Sequence, residues 1–259
     1  RHIGERRPGD AGKAAGTTIV LFSVLGAALT VLLELLAGGF TAILQVPAES
    51  VTKTITYLRI CSGGLLVIIA YNVISGVLRG VGNASLPFVF VGIACVVNII
   101  GDLLLVGVFH LDVAGAAIAT VGAQLVSVMI SFFVLRRQKL PIAFSREACR
   151  IDKRELRMIL NVGVPLALQE AMVQVSFLVI NSMINHMGLM QSAGYGVAQK
   201  ITSFIMLVPS TVMQSVSAFV AQNMGANRLD RAKQGLFTAM ATGCVLGAVM
   251  FCAGFFGGP

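Results

Sequence analysis

Seven apolar blocks constrain this chain before any motif is considered. They lie at about 17–44, 54–79, 87–109, 113–135, 157–186, 191–221 and 232–256. A helix needs about 20 predominantly apolar residues to cross the hydrocarbon core of a bilayer. Lipid supplies no hydrogen-bond partners, so each crossing segment must satisfy its own backbone. Alternating period-2 strands are absent, which removes a β-barrel. Composition supports the same reading. Only 12% of residues are charged, against roughly 25% in a soluble domain. The breaks between blocks carry turn chemistry: QVPAES, GVGNASLP, HLDVAG, RRQKLPIAF and NHMGLMQSAG. The expected fold class is all-α, a polytopic membrane protein.

The net charge of +8 invites a nucleic-acid partner, but the placement of the charges argues against one. The opening segment, the Arg79 connection, the long connection after Leu135 and the connection around Arg228 hold four, one, eight and three of the 19 Lys and Arg residues. These are alternate connections, so they share one side of the membrane. That is the positive-inside pattern, and it makes the basic loops cytoplasmic in a multi-pass protein of the cell (inner) membrane. No nucleic acid is implied. The five cysteines, Cys61, Cys95, Cys149, Cys244 and Cys252, show no CxxC spacing, and four lie in apolar runs, as small core residues do.

The chain is similar to itself at an offset of 221 residues. IGERRPGDAGKAAGTTIVLFSVLGA (3–27) aligns without a gap on MGANRLDRAKQGLFTAMATGCVLGA (224–248), pairing Gly4 with Gly225, Arg7 with Arg228, Ala11 with Ala232 and VLGA with VLGA. Both copies are basic loops entering a span from the same side. The offset contains six spans, an even number, so the two copies insert in parallel. A whole protein would have twelve spans in two parallel six-helix bundles, and this chain would hold seven of them, both bundles incomplete. Residues 1–136 would be part of the first bundle (helices 3–6), 137–156 a basic cytoplasmic connection, and 157–259 part of the second (helices 7–9). The Arg start and the Gly-Gly-Pro end straight after an apolar run agree with a piece of a longer protein.

Polar groups at membrane depth are expensive and are functional hypotheses by default. Asn98 and Asp102 interrupt CVVNIIGDLLLVGVF four residues apart, on one helix face. The next span carries Thr120. A hairpin centred near Leu111 puts Asp102 and Thr120 at the same depth. A carboxylate, an amide oxygen and a hydroxyl can hold a proton or a hard cation such as Na⁺; they can also simply bond helix to helix. Glu170, in VGVPLALQEAMVQ, is a candidate second polar site or an interface residue, and Pro165 beside it predicts a local break. Glu34 and Lys200 read as snorkelling side chains, Arg79 as an anchor. Tyr71 with Asn72, and Asn181 with Asn185, line a cavity or bond helices together. Met183, Met187, Met190, Met206 and Met213 offer an adaptable apolar surface, or ordinary packing.

These stretches carry a resemblance. YLRICSGG with GVLRGVGNASLP, NIIGDLLL, GAAIAT, ILNVGVPLALQE, SAGYGVAQKI and AQNMGA resemble the MATE family of multidrug and toxic-compound extrusion transporters along nearly the whole chain, and look closest to bacterial DinF-like members. The resemblance implies a cation-coupled antiporter, driven by H⁺ or Na⁺, that exports cationic or amphipathic organic compounds by alternating access. It implies a monomer whose partners are a small-molecule substrate and membrane lipid, with no cofactor beyond the coupling ion. The family's first-bundle cation site uses an Asp of the first helix, an Asn and Asp one turn apart, and a Thr on the next helix. Asn98, Asp102 and Thr120 match the last three; no metal site beyond Na⁺ there is implied. Glu170 does not clearly match the glutamate that the NorM-like branch carries in its seventh helix.

A lipid-linked oligosaccharide flippase of the related exporter superfamily is the alternative reading. A seven-helix receptor fits the span count but not the repeat. An enzyme is not expected, because no GxSxG, HExxH or paired catalytic acids occur.

Overall fold

The computed structural model describes residues 2–43, 48–137, 150–187 and 189–257. Most of the expected basic connection 137–156 and Cys149 therefore lie outside the described residues. The helices are α1 (Pro8–Ile43), α2 (Ala48–Gly63), α3 (Leu65–Val81), α4 (Ser85–Asp102), α5 (Asp112–Arg137), α6 (Lys153–His186), α7 (Leu189–Gly225) and α8 (Leu229–Gly257). A π-helical stretch, Leu103–Val108, continues α4. Among the described residues no strand occurs. Among the described residues six helices are long and apolar enough to span a bilayer, or seven if the bent pair α2–α3 counts as one span.

The sequence suggested one unbroken second span. Instead, α2 and α3 meet at Gly64 with a bend of 47°. The cause is close approach of α5: a Cβ on Gly64 would sit 3.0 Å from the Cβ of Val121. A sharp kink needs such a local cause. Pro165 behaves in the opposite way. It lies inside a continuous α6, so the expected break is absent. One missing N–H costs a span a single hydrogen bond, and the flanking apolar turns hold the helix.

Two compact units emerge, Pro8–Leu156 and Arg1–Arg7 with Arg157–Pro259. In the first, α5 is the central element, packed by α2, α3 and α4, while α1 lies on α2 and α3. Its core is Tyr71, Leu78 and Phe90, with Val128 and Val134 against them. The Tyr71 hydroxyl donates to the Pro87 carbonyl at 3.3 Å, so Tyr71 bonds helix to helix, while the Asn72 amide donates back to Ile68 O. Glu34 does more than snorkel: it accepts from the Ser62 hydroxyl at 2.6 Å and lies 3.8 Å from Arg59. Lys53 and Asp112 form an ion pair where α2 and α5 begin.

The opposite end of this unit is pinned through Thr17. Its hydroxyl donates to Arg150 O at 3.3 Å and accepts from the Asp152 N–H at 3.1 Å. Asp152 then caps α6, accepting from the backbone N–H groups of Arg154 (2.9 Å) and Glu155 (3.2 Å). The Glu155 and Arg154 amides hold the Asp152 carboxyl below its usual range. A depressed carboxylate stabilises the folded state above its unfolded pKa and loses that contribution as pH falls through the folded value. Amide exchange at Arg154 and Glu155 is therefore expected to be protected at neutral pH. Protection should be lost in acid, and already at neutral pH in Asp152→Ala.

In the second unit α7 and α8 pack together, leaving a largely apolar cavity of about 760 Å³ lined by Val212, Met213, Val216, Met240 and Phe251 among others. The internal repeat reappears here as backbone geometry. Arg6 and Asn227, 221 residues apart, both take left-handed φ, 55° and 56°. Arg6 N–H donates to Ile3 O and Asn227 N–H to Met224 O, each at 3.1 Å; Arg7 N–H donates to His2 O and Arg228 N–H to Asn223 O, at 3.1 and 2.9 Å. Ala11 and Ala232 are both buried. Every one of these pairs keeps the offset read from the sequence, and each turn leads directly into a helix, α1 or α8.

Candidate functional site

Asn98 and Asp102 sit on the last turns of α4, and Asn98 faces α5. The hairpin joining them reverses within a few residues, with His110 and Asp112 both held at φ 51°, a conformation uncommon for non-glycine residues. Small residues then let the helices close: a Cβ on Gly101 would lie 3.0 Å from the Cβ of Ala119, and one on Gly115 would lie 3.0 Å from Leu105 O. These contacts centre the hairpin on His110. Thr120 consequently meets Asn98, whose amide donates to its hydroxyl at 3.4 Å, while the hydroxyl donates to Ala116 O at 2.9 Å.

Asp102 is the singular member. Its Oδ1 is buried and has no hydrogen-bond partner among the described residues. A buried acceptor left unpaired is rare and calls for an explanation. The backbone changes register immediately afterwards, from α to π, at Leu103. Isolated π turns inside helices recur at functional sites, because the wide turn re-aims neighbouring groups. The sequence reading missed this turn. It also missed Tyr57 of α2, which lies within electrostatic reach of Asp102.

The donor set is one carboxylate with neutral oxygens. Such oxygen donors suit a proton or a hard cation rather than a soft transition metal. Glu170 is exposed on α6 and belongs to the other compact unit. Lys200 is exposed on α7.

The close α4–α5 approach can be tested directly. Gly101→Leu is expected to push the helices apart and cost about 1–3 kcal/mol, seen as a lower unfolding midpoint of the full-length protein. Gly92→Leu, with open space at its Cβ, should change the midpoint little.

The MatE family model matches residues 1–104 and 165–259, which is most of the chain and includes Asn98 and Asp102. The chain belongs to the MATE family of transporters. Two relatives in Bacillus subtilis (strain 168) are similar: the probable multidrug resistance protein YoeA, 28% identical over 242 residues (91% of this chain, 52% of the relative), and the probable multidrug resistance protein YpnP, 30% identical over 216 residues (79% and 48%). A solved structure of a MOP superfamily transporter from Pyrococcus furiosus superposes with TM-score 0.89 at 19% identity, covering 100% of this chain and 58% of its own; at that identity the likeness shows the fold. This MATE chain spans about half the length of the relatives it matches. It belongs to a family of multidrug transporters rather than enzymes.

Proposed function

We propose that the whole protein is a cation-coupled antiporter, driven by H⁺ or Na⁺, that exports cationic or amphipathic organic compounds across the cell (inner) membrane by alternating access. One observation carries this reading: the unpartnered, buried Oδ1 of Asp102, one turn from the Asn98–Thr120 bond and at the start of a π turn. A proton on that carboxyl would remove its charge, and Na⁺ held by Asp102, Asn98 and Thr120 would ligate it. The ion drives export only if it binds one conformation better than the other. The substrate shifts the same equilibrium reciprocally. No organic cofactor is required.

The 760 Å³ cavity between α7 and α8 falls in the range of drug-sized pockets, roughly 300–1,000 Å³. Its apolar, methionine-bearing walls suit amphipathic molecules. The excess of Lys and Arg on one set of connections supports basic loops in the cytoplasm, and the protein acts as a monomer.

The test is efflux of a fluorescent cationic dye by the full-length protein in everted vesicles, under an imposed H⁺ or Na⁺ gradient. Gradient-dependent dye movement supports the antiporter and identifies the ion. An inserted protein that moves no dye under either gradient overturns it; lipid-linked oligosaccharide would then be the substrate to assay.

A further inference from the structure

We propose that a polar stripe on α5, formed by Thr120, Gln124, Ser127 and Ser131 and joined by Ser75 of α3, is the passage by which the coupling cation moves between the Asp102 cluster and the basic end of the first unit. The proposal rests on the antiport reading above.

The four α5 residues follow one another at intervals of four, three and four, so they line one helix face. Thr120 belongs to the cation cluster, and the stripe leads from it toward Arg136 and Arg137 at the end of α5. From Thr120 to Ser131 it covers roughly 16 Å of helix axis. Ser127 and Ser131 are fully buried. Ser127 donates to Phe90 O on α4 at 3.1 Å and Ser131 donates to Ser127 O at 2.7 Å. Each hydroxyl keeps acceptor capacity after donating.

Ser75 joins the stripe from the neighbouring helix. Lys53 meets Asp112, Gly64 meets Val121, and the Tyr71–Leu78 face packs with Val128 and Val134. The α2–α3 pair and α5 therefore run parallel and in step, which places Ser75 at the level of Ser131. Ser75 is 1% exposed, and its Oγ has no partner among the described residues; the buried Oε1 of Gln124 has none either.

Packing alone does not call for these oxygens. The same helix uses Ala117, Ala119 and Ala123 where it needs small buried residues, and alanine there carries no polar atom to satisfy. Two unpaired buried oxygens at membrane depth are costly, and a travelling cation, or water carrying a proton, would give them a partner as it passes. Hydroxyls suit both ions, because they donate and accept and their oxygens can solvate Na⁺ in steps.

The test uses full-length protein in proteoliposomes and reads two quantities, cation affinity at equilibrium and initial rate of gradient-driven efflux. The double variant Ser75→Ala with Gln124→Met is expected to turn over about fivefold or more slowly, while cation affinity stays within about twofold, because the Asp102 cluster is untouched. Ser75→Thr, which keeps a hydroxyl, should retain most of the rate. A double variant with wild-type rate, in a protein whose Asp102→Asn form is inactive, overturns the passage and leaves the antiporter standing. Wild-type efflux in Asp102→Asn overturns both. If the double variant fails to insert, Ser131→Cys in a background lacking the native cysteines decides: reaction with a small charged thiol reagent applied at the basic side supports the passage, and no reaction overturns it.

Discussion

Asp102→Asn in the full-length protein is expected to abolish gradient-driven efflux, with the rate falling at least about tenfold and toward background. The substitution nearly preserves volume and replaces one carboxylate oxygen by an amide group, so Asn98 and Thr120 can stay where they are. What it removes is the negative charge and the titratable proton. A coupling site stripped of both has no differential affinity left to convert a gradient into a conformational bias. Asn98→Ala and Thr120→Ala should be milder. Each deletes one neutral oxygen, and a neutral hydrogen bond contributes about 0.5–1.5 kcal/mol net, which corresponds to about 2- to 12-fold in cation affinity. Dye efflux and cation binding measured side by side separate the cases: the neutral variants should regain rate at high cation concentration, and Asp102→Asn should not. Normal export by Asp102→Asn would sink the assignment.

Much of this site could be read from the chain because it is built from one hairpin. Asn98 and Asp102 share a face by helical spacing alone, and Thr120 follows across a short connection, so periodicity sufficed to set Asn98 beside Thr120 with Asp102 one turn away. The spans were legible for a similar reason, since the demand of lipid for uninterrupted apolar length leaves a coarse signal. What escaped the sequence depends on contacts that leave no periodic mark. The π turn at Leu103–Val108 lies within the hairpin, yet LLLVGV looks like any aliphatic helix. The bend at Gly64 comes from Val121 on a helix nearly 60 residues away, and a Gly-Gly pair in a span can equally be straight. Tyr57 belongs to α2, and nothing in its neighbourhood signals Asp102. Pro165 misled because an isolated proline predicts a break more strongly than a span with apolar turns on both sides produces one.

The repeat supplies the second large effect, because its two turns are not equally free to change. Residues 2–7 group with the second unit, and Gly4 lies on the twin turn itself. A Cβ at Gly4 would overlap the Gln222 carbonyl oxygen and lie 2.9 Å from Ala226 N. Both obstacles are backbone, held in place by the bonds of Ala226 N–H to Gln222 O (3.0 Å) and Arg228 N–H to Asn223 O (2.9 Å). A flexible side chain could swing aside, but this turn cannot without breaking its own hydrogen bonds. Gly4→Ala should therefore destabilise the full-length protein by about 1–3 kcal/mol, lower its unfolding midpoint, and deprotect the amides of Arg6, Arg7, Asn227 and Arg228 together. Gly9→Ala, on the first turn of α1 with nothing within 4 Å of its Cβ position, provides the control. Alanine is the better helix former, so that change should be neutral or slightly stabilising. The pair tests one idea, that Gly4 is required for close approach rather than for a helix start. Equal stability of the two variants, with the four amides still protected in Gly4→Ala, would show that the turns do not bear on each other.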